Sequence, residues 1–168
     1  MSDFSGRTPS KLDVELPNNG FLPSLNLGDL QERYRIPSEY RQQTIGSQTI
    51  AALIEVNRLL NPKVCEWQRA GYMQLEEVPC AVLGDLHELV ELYKVAVFAR
   101  AKAKLIRQYP SMNRHDRQHY PRNSNFSSQE YSAMEAPEIE LEFLNESDGA
   151  ISLLLGEEPA RSLRANVI

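Results

Sequence analysis

The segment Leu83-Gly-Asp-Leu-His-Glu-Leu-Val-Glu-Leu-Tyr-Lys-Val-Ala-Val-Phe-Ala-Arg-Ala-Lys-Ala-Lys-Leu-Ile-Arg-Gln-Tyr109 organises the reading of the rest of the chain. No glycine or proline falls between Asp85 and Tyr109, so nothing interrupts a helical hydrogen-bond ladder. Leu89, Leu92, Ala96, Ala99, Ala103 and Ile106 recur at steps of three and four, and Val90, Tyr93, Val97, Ala101 and Leu105 make a second stripe beside them. Two adjacent stripes are wider than a surface helix needs, which predicts a central helix with neighbours on two sides. Asp85 stands where an N-cap belongs, three residues before Glu88, and Pro110 forces the preceding residue out of the helical region. The alanine-rich half lets neighbouring backbones come close. Arg100, Lys104 and Arg107 fall on one side of it.

Working back from this helix, residues 72–82 read as a loop with Leu75 and Val78 tucked in. Ser38–Gly71 is a second long helical segment. Its apolar stripe is Ile45, Thr49, Leu53, Val56, Leu60, Val64 and Trp67, and the phase runs unbroken across Asn61-Pro62. That continuity favours one helix containing Pro62 over two helices with Asn61 as a cap. Gly71 is placed to close it. Asp29-Leu-Gln-Glu32 resembles a capping box that opens a short helix ended by Pro37, which must pack through Leu30, Tyr34 and Ile36. Residues 1–24 carry Pro9, Pro17 and Pro23 and no helical period. They read as an extended arm whose apolar anchors, Phe21 and Leu22 with Leu25 just beyond, need a cover.

On the other side, Ser111–Ala136 scatters Met112, Phe126 and Tyr131 among polar residues and reads as a long polar loop. Pro137–Gly156 admits two readings. Glu138-Ile-Glu-Leu-Glu-Phe143 alternates with period two and is followed by Asn145-Glu-Ser-Asp-Gly149, a β-hairpin signal. A helix would instead gather Ile139, Phe143, Ala150, Ile151 and Leu154 on one face, with Pro137 in its first turn. Residues 157–168 form a second arm. The expected organisation is an arm over 1–24, a helical body over 25–156 and a C-terminal arm over 157–168.

The 168 residues are enough for one domain with a modest core, and the net charge of −5 does not suit a protein that coats nucleic acid. The charge is unevenly distributed. Lys94 to Arg122 holds eight cations against Asp116, whereas Glu130 to Glu158 holds acids alone. A bipolar chain can pair its own halves or join head-to-tail with a copy of itself. Cys65 and Cys80 do not make a disulfide framework and point to a reducing compartment. No signal peptide or membrane-spanning run is expected.

The search for chemistry returns little. His115 and His119 have a spacing that metal ligands use on a helix, but no third ligand is near, and solvated loop histidines are the simpler account. Glu138, Glu140 and Glu142 read as a solvated acidic face rather than a general acid–base pair. Cys65 reads as core rather than nucleophile, and Trp67 and Tyr93 as core rather than stacking platforms. There is no Gly-x-Ser-x-Gly elbow and no glycine-rich phosphate loop. No enzyme, cofactor or metal site is expected. The basic face of the central helix has two readings: a phosphate-contacting surface of a DNA-binding or regulatory protein, or a salt-bridged face against the acidic C-terminal half.

Several landmarks together resemble the head completion protein L family of P2-like tailed phages. They are Phe21-Leu-Pro23, Asp29-Leu-Gln-Glu-Arg-Tyr-Arg35, Arg69-Ala-Gly-Tyr72, Leu75 with Val78-Pro79, Tyr93 with Ala96-Val97, Arg107-Gln-Tyr109, Ala150-Ile151 with Leu155-Gly156, and Arg161 with Val167-Ile168. The resemblance implies an all-α fold, a bundle of about four helices over Asp29–Ile36, Tyr40–Ala70, Asp85–Tyr109 and Pro137–Leu155, with arms at both ends. It implies a non-catalytic virion protein of the head–tail junction, assembled in the bacterial cytoplasm. The implied partners are the portal protein, neighbouring copies in a twelve-fold ring, a tail-side completion protein and packaged DNA in the channel, with no membrane. On this reading Arg161, Leu163, Arg164, Asn166, Val167 and Ile168 form the portal-docking arm. Arg100, Lys104 and Arg107 then face the next subunit or the DNA channel, the subunit contact being preferred.

Overall fold

A computed structural model of the chain describes residues 12–37, 39–108 and 128–157. Its N-terminal portion begins with β1 (Glu15–Leu16), antiparallel to β2 (Leu25–Asn26), with Leu16 opposite Leu25. Between them the chain turns so that Phe21 and Leu22 enter the core, each 3% exposed, and Phe21 stacks on Trp67 at 6.1 Å. The cover that the apolar anchors need is thus supplied by the chain's own body.

Helix α1 (Leu27–Arg33) starts two residues before the Asp29 expected from the capping pattern. Asn26 is the cap, its side chain accepting from the Gly28 N–H at 2.7 Å, which leaves Asp29 in the first turn where the helix dipole favours an acid. At the other end Ile36 N–H donates to the Gln31 carbonyl, and Arg35 takes the left-handed conformation (φ 46) that glycine usually fills in such a cap.

Helix α2 (Gln42–Arg69) is a single helix with Pro62 inside it. The expected stripe is buried at Ile45, Thr49, Val56, Leu60, Val64 and Trp67, with Leu53 half-buried and Ala52 taking its share of the core. Gly71 closes it as expected. It adopts φ 98, its N–H donates to the Gln68 carbonyl and Tyr72 N–H donates to the Trp67 carbonyl. Pro62 is exposed and lacks the N–H that would bond the Arg58 carbonyl. Pro62→Ala is therefore expected to stabilise the protein by about 2 kcal/mol, the gain in helix propensity less the unfolded-state entropy that proline removes. A thermal melt with no rise in Tm would contradict this.

A 3₁₀ turn (Leu75–Glu77) then buries Leu75 and Val78, and Leu75 N–H donates to the Phe21 carbonyl, tying the N-terminal segment to the loop. Asp85 is not the cap of the central helix. It sits in the two-residue turn between β3 (Val82–Leu83) and β4 (Leu86–His87), with Gly84 at φ 64 supplying the positive φ that a tight hairpin turn requires. Helix α3 (Glu88–Gln108) follows directly.

Helix α4 (Ser128–Leu155) decides between the two readings of the acidic segment in favour of the helix. It starts well before Pro137, so residues 128–136 belong to a helix rather than to the expected loop, and Pro137 lies inside the helix rather than in its first turn. Its inner face is Ser147, Ala150, Ile151 and Leu154, with Ile139 and Phe143 half-buried. The period-two alternation of glutamates was misleading because it spans barely two helical turns. The apolar face that packs lies mostly beyond it. Helix α3 lies between α2 and α4 and touches both along much of its length. This covering buries it almost all round from Tyr93 to Ile106, including Phe98 and Lys102, which lie outside the two expected stripes.

Candidate assembly surface

The alanines of α3 set the geometry of the ionic centre. Ala96 and Ala99 are fully buried and Ala103 nearly so. With no side-chain bulk there, α4 approaches closely enough for Ser147 Oγ to donate to the Ala96 carbonyl at 2.7 Å. Arg100 then reaches across the same contact. Its Nε donates to Ser147 Oγ at 3.1 Å, one guanidinium nitrogen pairs with Asp148, and another lies 3.6 Å from Glu55 on α2. Lys104 Nζ donates to the other Glu55 oxygen at 2.7 Å. The sequence placed Arg100, Lys104 and Arg107 on one face, and the first two join α2, α3 and α4 within one chain. Arg107 is exposed in the last turn of α3.

A polar cluster holds the N-terminal segment. Asn18 Nδ2 donates to Tyr93 OH at 2.7 Å, Tyr93 OH donates to Asn57 Oδ1 at 2.6 Å, and Asn57 Nδ2 donates to Asn18 Oδ1 at 2.7 Å. Burial pushes the Tyr93 hydroxyl pKa well above its ordinary value, opposed by the bond from Asn18. Tyr34 is raised in the same direction, first by burial and then by the charge and hydrogen bond of Glu146. A tyrosine whose folded-state pKa is raised contributes stability that is intact below its unfolded pKa of about 10 and is lost as pH climbs towards the folded value. Unfolding free energy is expected to fall by about 1 kcal/mol between pH 10 and pH 11 through Tyr93, with a smaller share from the more open Tyr34. Tyr93→Phe should flatten that slope, and an unchanged slope would contradict the assignment.

Tyr34 also forms one wall of an open groove of about 480 Å³ between the end of α1, α3 and α4. It meets Phe98 edge-on at 6.3 Å and Phe143 at 5.8 Å, while Lys102 Nζ lies 5.9 Å from the Phe143 ring. Lys102 is only 3% exposed, its stem buried and its charge near an aromatic face. At the rim Arg33 donates to Glu91 at 2.7 Å. That bond, opposed by partial burial and helped by Lys94, lowers the Glu91 pKa.

Phe21, Leu22 and Leu25 line the core, as described. Arg161, Leu163, Arg164, Asn166, Val167 and Ile168 lie outside the described residues, as do His115 and His119. Glu138 and Glu142 are exposed and Glu140 half-buried. Cys65 is half-buried, and Cys80 Sγ lies 3.4 Å from the ring nitrogens of His87. No group of acids, histidines and cysteines able to hold a metal occurs among the described residues. Sequence reasoning missed Asn18, Asn57 and Lys102. Nothing in the local pattern marks two asparagines so far apart as partners.

Residues 16–159 match the family described as phage head completion protein (GPL). The chain belongs to this family. A head completion relative, described as "probable head completion/stabilization protein" of Haemophilus phage HP1 (strain HP1c1), is 27% identical over 110 residues, covering 66% of this chain and 73% of the relative. No solved structure matches. The head completion family is structural and is not known for catalysis, and membership implies a place in the virion. No helix among the described residues is long and apolar enough to cross a membrane.

Proposed function

We propose that this head completion protein forms a ring beneath the portal, closes the DNA-filled head and presents the surface to which the tail attaches. The observation that carries the reading is the internal use of the basic face: Arg100 and Lys104 pair with Glu55 and Asp148 of the same chain. A DNA-binding regulator would need those cations turned to phosphates. Joined to membership of a head completion family, this favours a rigid structural subunit. Neighbouring copies follow the portal's twelve-fold symmetry, and a tail-side completion protein binds the opposite rim. Arg107, exposed at the end of α3, faces the next subunit or the packaged DNA in the channel.

The arm from Arg161 to Ile168 is the portal hook in this reading. Leu163, Val167 and Ile168 supply apolar anchors, with Asn166 beside them, and Arg161 and Arg164 supply charge for an acidic rim. One arm binds weakly, because ordering it costs roughly 1–2 kcal/mol per residue, but a ring presents many at once. Truncation after Glu158 is expected to leave a folded, soluble chain that no longer docks on portals, yielding filled heads that lose DNA and lack tails. Normal docking by the truncated chain would overturn the assignment.

A further inference from the structure

We propose that the outer face of α2 on one copy docks against the outer face of α4 on the next, making a head-to-tail contact between copies of this chain. The inference rests on the ring reading above and names the two surfaces that would close it. On α2, Ile50 and Ile54 are 46% and 59% exposed, one turn apart, and Arg58 follows one turn further on. Gln43, Ser47 and Asn61 complete this face, which carries no carboxylate. The acids of α2 lie to one side and are already engaged, Glu55 with Arg100 and Lys104, and Glu66 with Lys63 at 2.9 Å. Arg58 has no ion-pair partner among the described residues.

Helix α4 offers the complement. Leu141 is 56% exposed with Glu138 and Glu142 within one turn of it, Glu142 at the edge of the Tyr34 groove, and Leu153, 47% exposed, lies about 18 Å further along the helix. The helix contains no lysine, arginine or histidine. Asp148 is held by Arg100, and Glu146 accepts from the Tyr34 hydroxyl. Glu138 and Glu142 have no ion pair among the described residues. Once the internal pairs are accounted for, a cation beside two isoleucines remains on α2, and two acids beside Leu141, with Leu153 further along, remain on α4. The two faces are complementary in charge and alike in apolar character. The two faces are unlike and lie on different helices, so a single contact between them leaves each copy with one of each still open. Repeated head to tail, such a contact builds a ring where its rotation closes.

The test uses full-length chains followed by sedimentation velocity and native mass spectrometry. Ile50→Asp/Ile54→Asp alters the α2 face and Leu141→Asp/Leu153→Asp alters the α4 face. All four positions are exposed, so circular dichroism and melting should show folded subunits. Each variant alone is expected to need a concentration higher by roughly thirtyfold or more for assembly. Mixed together, they should form a 1:1 dimer and stop, since one intact α2 face meets one intact α4 face and nothing remains to extend. Wild-type assembly that persists in either variant, or a mixture that stays monomeric, overturns the pairing and leaves the ring reading standing. A wild-type chain that stays monomeric both alone and on its portal overturns both.

Discussion

Asn57→Ala is expected to lower the unfolding free energy by about 2 kcal/mol, and Tm by about 4–8 °C, because it opens a closed cycle of part-buried hydrogen bonds. In the native chain Asn18, Asn57 and Tyr93 each donate to the next at 2.6–2.7 Å, and Tyr93 is fully buried. Removing the Asn57 amide leaves the Tyr93 hydroxyl without its acceptor and the Asn18 carbonyl oxygen without its inter-segment donor. A stranded buried group costs about 1–3 kcal/mol, a penalty that falls on the buried Tyr93 hydroxyl and less on half-buried Asn18. The loss should be felt first in the N-terminal segment, because Asn18 also donates to the Pro23 carbonyl and so shapes the turn that inserts Phe21 and Leu22. Hydrogen exchange at the Leu22 and Leu27 amides should quicken before α2 or α3 opens. Tyr93→Phe breaks the same cycle, so the double variant should cost little more than either single one. A loss below about 1 kcal/mol would mean that water takes the place of the amide.

How far each element could be read from sequence follows from the kind of interaction that fixes it. The α2 stripe and its Gly71 stop were legible because both depend on local periodicity and one backbone angle, and tertiary packing agreed with them. The start of α3 was not legible. Asp85 and Glu88 form a plausible capping pair, yet Gly84 permits a hairpin turn that claims Asp85 first. The acidic segment defeated pattern reading because six residues of alternation fit a strand and a helix equally well. Only the surface of α3 waiting to be covered distinguishes them. Lys102 lies off both stripes, so the period of α3 gives no reason to bury it. Its burial is caused by α4, a third neighbour that α3's own period does not announce. At the candidate site the sequence put Arg100 and Lys104 on one face and offered DNA or the acidic C-terminal half as its partner; Asp148 of that half meets Arg100, but Glu55, which both cations meet, lies on α2. The choice between partners in the same chain and in the next depended on the close approach at Ala96 and Ser147.

Arg100→Glu is expected to destabilise the subunit itself by about 3 kcal/mol. The native side chain is 13% exposed and meets acids on two helices, Glu55 from α2 and Asp148 from α4. Its Nε also holds Ser147, whose hydroxyl bonds the Ala96 carbonyl in the buried seam. A carboxylate at this position would face two carboxylates and a hydroxyl already committed to the backbone. Glu55 and Asp148 are themselves about half exposed or more, which keeps the penalty at the low end of that for a buried charge left unpaired. Lys104→Glu provides the comparison. It repels the same Glu55, but at a more open position, 26% exposed, and should cost less than about 1 kcal/mol. Urea denaturation of both variants separates the two cases. Equal and small losses would show that Arg100 does not join the three helices. A large loss for Arg100→Glu alone carries a consequence for assembly. Failure of that variant to form rings would report a weakened subunit and could not locate the interface, whereas substitutions on the exposed faces of α2 and α4 leave the ionic centre intact.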